Sequence, residues 1–533
     1  MELFFHSLAT TVLHWWFNLQ SRALQMTWPT TALMWKEPPA EARNLNQEEE
    51  SGLRDLMELA LGIAKRLGAE YCDIRQGSTR TDAITTKNGH VDFVSTQEHT
   101  GFGVRVLKGG AWGFASSNDF TAEEVTRIAG TAAAIADSSR QLVKKRAVLA
   151  PIDPVVAEWE ATPKTDPFEV KVEDKVELLL EAERLMRKTA PVDLTSGQLS
   201  CRSEDKTFAS TEGSYIHQRF VQTGASIRAM ARGQNEVQTR TYPAGVSGDV
   251  AGRGWEHVEE LDLLGNAERV AKEAWELTKA DQCPSGTIDV ILEGSQLAAQ
   301  IHESCGHAVE YDRATGMETG AIGTSYLTLD KRGTFRFGSP LVNIVADSTI
   351  PGALGSFGYD DDGVPAQRVD IVKDGIFLNY LTSREMAATL GERSNGANRA
   401  MSFDKIPLIR MTNVSLMPGD YALDEMIRST KHGIYMDVNR SFSIDDRRYS
   451  FQFGTEVGWE IEDGSLRRMV KNPTYTGNAP EFWNSCDAIG GKDRWRVWGM
   501  PTCGKGEPLQ LIGVGHGASP ARFRNVKVGV GKW

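Results

Sequence analysis

From Ser51 the apolar residues Leu53, Leu56, Met57, Leu59, Ala60, Ile63, Ala64 and Leu67 recur at spacings of three and four. That spacing gathers them on one helical face, and Gly68 ends the pattern. Shorter runs then predict strands at Tyr71–Gln76, Ala83–Lys87 and Val91–Ser95, with Asn88-Gly89 as a hairpin turn. A second pair, Gly101–Leu107 and Ala111–Ser116, flanks Lys108-Gly109-Gly110. Helical spacing returns over about 121–138, 171–189 and 256–280, and residues 191–250 read as consecutive strands. Helices packed on an antiparallel sheet are the expected architecture of this half.

Asp281–Gly286 reads as a boundary, followed by a short apolar strand at Thr287–Leu292. Ser295 is a plausible helix N-cap. Leu297, Ile301 and Cys305 form a stripe at i, i+4 and i+8, so 295–310 is predicted helical. Beyond 320 the pattern is mostly short strands and Gly/Asp/Pro turns, with one helix expected at 422–432. The expected division is an extension at 1–50, an N-terminal α+β domain at 51–283 and a mostly β C-terminal domain at 284–533.

The first 50 residues differ from the rest. Leu3 to Ser21 carries no formal charge over 19 residues, but His6, Ser7, Thr10, Thr11, His14, Asn18 and Gln20 interrupt it. Residue 2 is Glu and the first Arg is Arg22, which is not the basic start of a secretory signal. Four of the 13 tryptophans also fall here. Residues 37–50 read as an acidic linker, and 1–50 as a poorly ordered extension rather than an interfacial anchor or a span. No membrane association is expected.

Composition narrows the classes. Over 533 residues, 40% are hydrophobic and 24% charged, the profile of a soluble globular protein. The net charge of −12 weighs against nucleic acid as a partner, because such binders neutralise phosphates. Six cysteines, none in a Cys-x-x-Cys pair, are too few for a disulfide scaffold and fit reduced thiols in a cytoplasmic protein.

The predicted helix at 295–310 carries His302-Glu303-Ser304-Cys305-Gly306-His307. Zinc proteases often place two histidines four apart on one helical face. Here the spacing is five, which on an ideal helix leaves the side chains about 140° apart. A π-type turn, which closes i to i+5, brings them together; so does a helix ending or kinking at Gly306. Otherwise they are unrelated polar positions. Cys305, three residues after His302, is a rival ligand or a continuation of the core stripe. Glu310, three residues after His307, is a direct ligand, an orienting carboxylate or a solvated helix end.

This stretch, with DDDGVPAQR (360–368), RMTNVSLMPGD (410–420), TEVGWEIEDG (455–464) and CGKGEP (503–508), resembles the TldD/PmbA family of metallopeptidases, specifically its TldD-like subunit. The resemblance covers roughly 51–533 and is strongest after 287. It implies zinc held by His302, His307 and Cys503, with the fourth tetrahedral position left for water. Pro501-Thr502 and Gly504-Lys505-Gly506 suggest a tight loop around Cys503, and Lys505 can favour its thiolate. Glu303 is then the general base that takes the water's proton and passes it to the leaving amine. His516, in GVGHGASP, is a weaker candidate for transition-state stabilisation, and the run Asp360-Asp361-Asp362 reads as a turn.

The expected fold is α+β, with N-terminal helices on an antiparallel sheet and a mostly β, barrel-like C-terminal domain carrying the metal helix. The resemblance further implies hydrolysis of peptides or unfolded proteins beside a TldE/PmbA-like partner that lacks the metal motif. A link to DNA gyrase attaches to the family name, but no DNA-reading element is present. The competing readings are a non-catalytic scaffold or regulatory subunit, and a zinc hydrolase of a non-peptide amide.

Overall fold

Two long hairpin strands dominate the first half of the chain. Tyr71–Lys87 and His90–Lys108 pair antiparallel around the turn at Asn88 and Gly89, both at positive φ. The short runs expected at 71–76 and 83–87, and at 91–95 and 101–107, are each one continuous strand. Ladder hydrogen bonding carries the backbone through polar stretches that show no hydrophobic alternation. The structure is a computed structural model. It describes residues 42–530 except 235, 246–247 and 319–322, and the side chains of 42–51 and 530 fall outside that description. The tryptophan-rich segment and the uncharged run lie outside the described residues. The linker expected at 37–50 is helical from Ala42, in the helix Ala42–Arg66, because its Ala, Glu, Gln and Arg are good helix formers. Among the described residues no helix is long and apolar enough to cross a membrane.

From Asp55 onward the described residues form one compact unit. Its first sheet runs from Ala111–Ser117 through the hairpin to Leu194–Ser210 and Tyr215–Arg232, with Val156–Glu160 parallel at the edge and the other pairings antiparallel. Helices Val172–Thr189 and Leu263–Leu277 cover one face, burying Leu179, Met186, Val270 and Ala274 against Leu199 and Ile227. The single helix expected over 256–280 is two, Trp255–Leu261 and Leu263–Leu277. Asp262 breaks it at φ 48°, and its carboxylate then caps the second helix by accepting from the Gly265 amide at 3.1 Å.

The second half is built on a closed barrel of five strands. Gly286–Leu292, Ala521–Val530, Pro473–Asn478, Ser450–Glu462 and His432–Ile444 pair in that order, and the last pairs back to the first. The α+β class and the barrel-like second half are therefore as expected. The helix at Gly294–Ile301 follows the first barrel strand directly. Leu297, Ile301 and Cys305 share one apolar core with Phe451, Phe453, Tyr475 and Phe523 of the barrel. Glu293, not Ser295, occupies the N-cap position; Ser295 sits inside the helix and bonds Asp437 at 3.0 Å.

Buried and half-buried ion pairs join the two halves. Arg105 meets Asp362 at 2.7 Å, Lys206 meets Asp361 at 2.9 Å, and Arg240 meets Glu456 at 3.1 Å. The acidic run at 360–362 is the expected turn, but a buried one, and cations of the first sheet compensate two of its carboxylates.

Candidate metal centre

The helix changes pitch where the motif begins. Residues His302–Gly306 form a π-helical turn in which the His307 amide donates to the His302 carbonyl. A 3-10 turn, His307–Val309, follows, and the chain becomes extended at Glu310. The i to i+5 closure removes the angular offset of an ideal helix and turns both imidazoles the same way. Their ring centroids are 4.8 Å apart. Gly306 permits the turn to pack: a Cβ there would lie 2.0 Å from Met411 Sδ. Ser304 anchors it by accepting from Trp483 Nε1 at 3.0 Å and donating to the Gln300 carbonyl at 2.6 Å.

Cys503 comes from the hairpin of Arg496–Lys505 and Gln510–Ala518. The loop expected around it is strand, with a bulge between Met500 and Cys503 where Pro501 and Thr502 interrupt the ladder. The bulge places Cys503 Sγ 3.7 Å from His307 Nε2. One donor atom each from His302, His307 and Cys503 lies within 4.8 Å of the others, and all three residues are buried. A tetrahedral zinc with Zn–N of about 2.1 Å and Zn–S of about 2.3 Å would separate its ligands by roughly 3.5 Å. The His307–Cys503 separation matches that edge and the set as a whole spreads to 4.8 Å, so the donor types fit the ion and would draw together around it.

Hydrogen bonds behind the ring nitrogens fix the tautomers. His516 Nδ1 lies 2.8 Å from the Val414 carbonyl, which can only accept, so His516 carries its proton there. Its Nε2 is then bare and accepts from His302 Nδ1 at 2.8 Å. That leaves His302 Nε2 with a free lone pair. His307 Nδ1 donates to Glu310 Oε2 at 2.9 Å, which likewise bares the Nε2 that faces Cys503. Burial, outweighing the facing carboxylates at His302 and Cys503 and Glu310 at His307, holds the pKa of both rings below 6.5, which favours the neutral form that metal ligation requires.

Charge around the centre favours anionic ligands. Burial alone would raise the Cys503 thiol, but positive charge facing it, the His307 ring in its protonated form and then the Arg410 guanidinium, outweighs burial and lowers its pKa. Arg410 bonds the Cys503 carbonyl directly. Lys505, expected to assist the thiolate, instead bonds Asp312 at 2.8 Å and the Ile409 carbonyl at 2.7 Å. It lies 3.5 Å from Glu310, which also accepts from Arg313 Nε at 2.7 Å. These cations and His307 together overcome burial and hold the Glu310 carboxyl well below its usual range.

Glu303 lines a cavity of about 540 Å³ that also exposes the edges of His302, His307 and Cys503. Its walls include Trp498 to Gly504 of the hairpin, Asn439, Arg440 and Phe442 of a barrel strand, and Ala244 and Gly245 from the first half. His516 is fully buried behind His302 and does not line this space, so it contacts His302 and not the cavity. Cys305 is also fully buried, in the barrel core, and burial pushes its thiol far up; it continues the apolar stripe. Sequence reasoning missed Arg448. Its Nη1 bonds Glu303 Oε2 at 2.8 Å, and both side chains are nearly inaccessible. Asp446-Arg447-Arg448 reads in sequence only as a polar turn, with no signal of a site.

Three family models match successive parts of the chain. They describe PmbA/TldA metallopeptidase domain 1 at 72–136, the central domain at 165–281 and the C-terminal domain at 285–529. Among curated relatives, a protein named Metalloprotease from Methanothermobacter thermautotrophicus is 30% identical over 463 residues, covering 86% of this chain and 95% of its own. The Metalloprotease TldD homolog of Haemophilus influenzae is 27% identical, covering 86% of this chain and 92% of its own. Among solved structures, TldE from Thermococcus kodakarensis superposes with a TM-score of 0.69 at 16% identity, covering 89% of this chain and all of that one. At that identity the likeness speaks for the fold.

Proposed function

This chain belongs to the PmbA/TldA metallopeptidase family, and from that premise we propose that it is a zinc-dependent peptidase acting on peptides or unfolded proteins. The observation that carries the reading is the convergence of His302, His307 and Cys503 donors beside Glu303 in one cavity. Zinc bound there would acidify a water and polarise the scissile carbonyl. His302 and His307 would hold it through Nε2, each fixed by the partner behind it, and Cys503 through its thiolate. Three protein ligands would leave one position for water, as in catalytic rather than structural zinc sites.

Glu303 lines the cavity next to His302 and would take the water's proton and return it to the leaving nitrogen. The cavity walls come from both halves of the chain, so substrate would lie between them. A TldE/PmbA-like chain as partner is part of the proposal, supported by the shared fold of TldE. So is a cytoplasmic location, supported by six cysteines that are all free and buried. We also place the domain division at 283 and 284, next to the start of the C-terminal family model at 285.

The test is metal analysis of the purified chain together with cleavage of unfolded proteins, with and without chelator and with the family partner added. One zinc per chain and chelator-sensitive cleavage are expected. Chelation should also lower the melting temperature, because binding energy of the ion counts only in the folded state. Stoichiometric zinc with no cleavage, even beside the partner, would favour the scaffold reading.

A further inference from the structure

The geometry points to Arg448 as a second catalytic residue of this site, the cation that receives the negative charge developing on the scissile carbonyl oxygen. The inference rests on the peptidase reading above and concerns a residue that no feature of the motif marks.

Arg448 lies in the turn between barrel strands His432–Ile444 and Ser450–Glu462, at a φ of 64°. A left-handed backbone is uncommon for a residue with a long side chain and persists where the surroundings fix it. Here Asp445 fixes it: its carbonyl accepts from the Arg448 amide at 2.9 Å, and its carboxylate accepts from the Tyr449 and Ser450 amides at 2.6 and 3.1 Å. The turn thus aims the guanidinium inward. It reaches the cavity wall with 8% of its side chain accessible and bonds Glu303 at 2.8 Å. The other cation of the cavity lining, Arg440, is exposed and tied outward to Asn472 at 2.6 Å.

A buried ion pair is tolerated only while both charges are present; losing one leaves the other uncompensated. When Glu303 takes a proton from the attacking water it becomes neutral, and its ion pair with Arg448 becomes a neutral–charged contact. In the same step the new C–O bond forms and the carbonyl π pair moves onto oxygen. The negative charge has moved from Glu303 to that oxygen, and the total charge of the site is unchanged. Arg448, already buried at the cavity wall beside Glu303, donates to the oxyanion, so the charge that left Glu303 stays within reach of the same guanidinium. On collapse the carbonyl reforms, the C–N bond breaks, and the nitrogen takes the proton from Glu303, which pairs with Arg448 again. Donors held in a dry site and aimed where charge develops contribute to rate because they need not reorganise.

The experiment uses the zinc-loaded chain, with its family partner if activity requires one. An internally quenched peptide cleaved by the wild type serves as substrate, and its phosphonamidate analogue mimics the tetrahedral state. Arg448→Gln should keep one zinc per chain and KM within about threefold, while kcat falls by about 100-fold or more. Arg448→Lys should recover part of that loss. The phosphonamidate should bind more weakly by a similar factor. Should Arg448→Gln alone misfold because Glu303 is left unpaired, the same inhibitor comparison is made between Glu303→Gln and the Glu303→Gln/Arg448→Gln double variant, where no lone charge remains. An unchanged kcat, a loss confined to KM, or unchanged inhibitor affinity would overturn the role of Arg448 and leave the peptidase reading standing. A zinc-loaded wild type that cleaves no peptide would remove the peptidase reading itself, and this proposal with it.

Discussion

The backbone N–H of His307 donates to the carbonyl of His302, five residues earlier. This one hydrogen bond lets a five-residue spacing do what zinc proteases usually achieve with four. It depends on Gly306, which packs against Met411 with no room for a Cβ.

Gly306→Ala should therefore lower both stability and zinc content. Overpacking a buried contact typically costs about 1–3 kcal/mol. The added methyl also favours the ordinary helical pitch that would swing the imidazoles apart. Calorimetry and metal analysis read the two effects, and Gly306→Ala/Met411→Ala separates them: relief of the clash should restore stability more than zinc. Wild-type zinc content in the single variant would show that the π turn is not needed for the ligand pair.

His516 is expected to matter without touching the ion. It takes the proton of His302 Nδ1 and so leaves Nε2 free to ligate. Loss of such an orienting partner typically weakens metal binding about 10–100-fold. His516→Phe, titrated against a chromophoric chelator, should show that range. Undiminished affinity would mean that packing alone orients His302.

Glu303→Gln keeps the shape of the side chain and removes its basicity. Zinc should remain at one per chain while cleavage falls by at least about 100-fold. The substituted amide can still accept from Arg448, but one charge of a buried pair is gone, so the melting temperature should also fall; retained zinc then shows that the lost cleavage is not a lost fold. Retained cleavage would place the general base elsewhere.

Acid should destabilise the chelated protein. Burial holds His302, His307 and His516 below 6.5, His516 furthest. As pH falls through about 6.5 the unfolded chain binds protons that the folded chain does not, so stability declines. Glu310 adds to this at lower pH. Its carboxyl is held down by Lys505, His307 and Arg313 against the pull of burial, so stability present above 4.5 is lost as pH falls toward its folded value. Melting in EDTA from pH 7 to pH 5 should trend downward, with a shallower slope in His516→Phe. A flat profile would contradict buried neutral histidines.

The sequence by itself determined the candidate residues and most of the local structure. The His302–His307 pair, the Glu between the histidines, the Asn88-Gly89 hairpin and the apolar stripe through Cys305 follow from residue identity and short-range spacing, whereas Cys503 entered only through the family resemblance. It also narrowed the His302–His307 problem to a few outcomes, the π turn among them. Tertiary structure decided which one holds, because the turn is stabilised by Met411 and Trp483, over 100 residues away in sequence. It also decided that Cys503 sits on a bulged strand, that Arg410 rather than Lys505 supports its thiolate, and that His516 and Arg448 join the site. None of these has a local period to read. A hydrogen bond between residues 214 apart, as from His302 to His516, exists only once the hairpin has packed against the helix. Patterns along the chain report which face of an element is buried; which side chains then meet across elements is set by packing of the whole core.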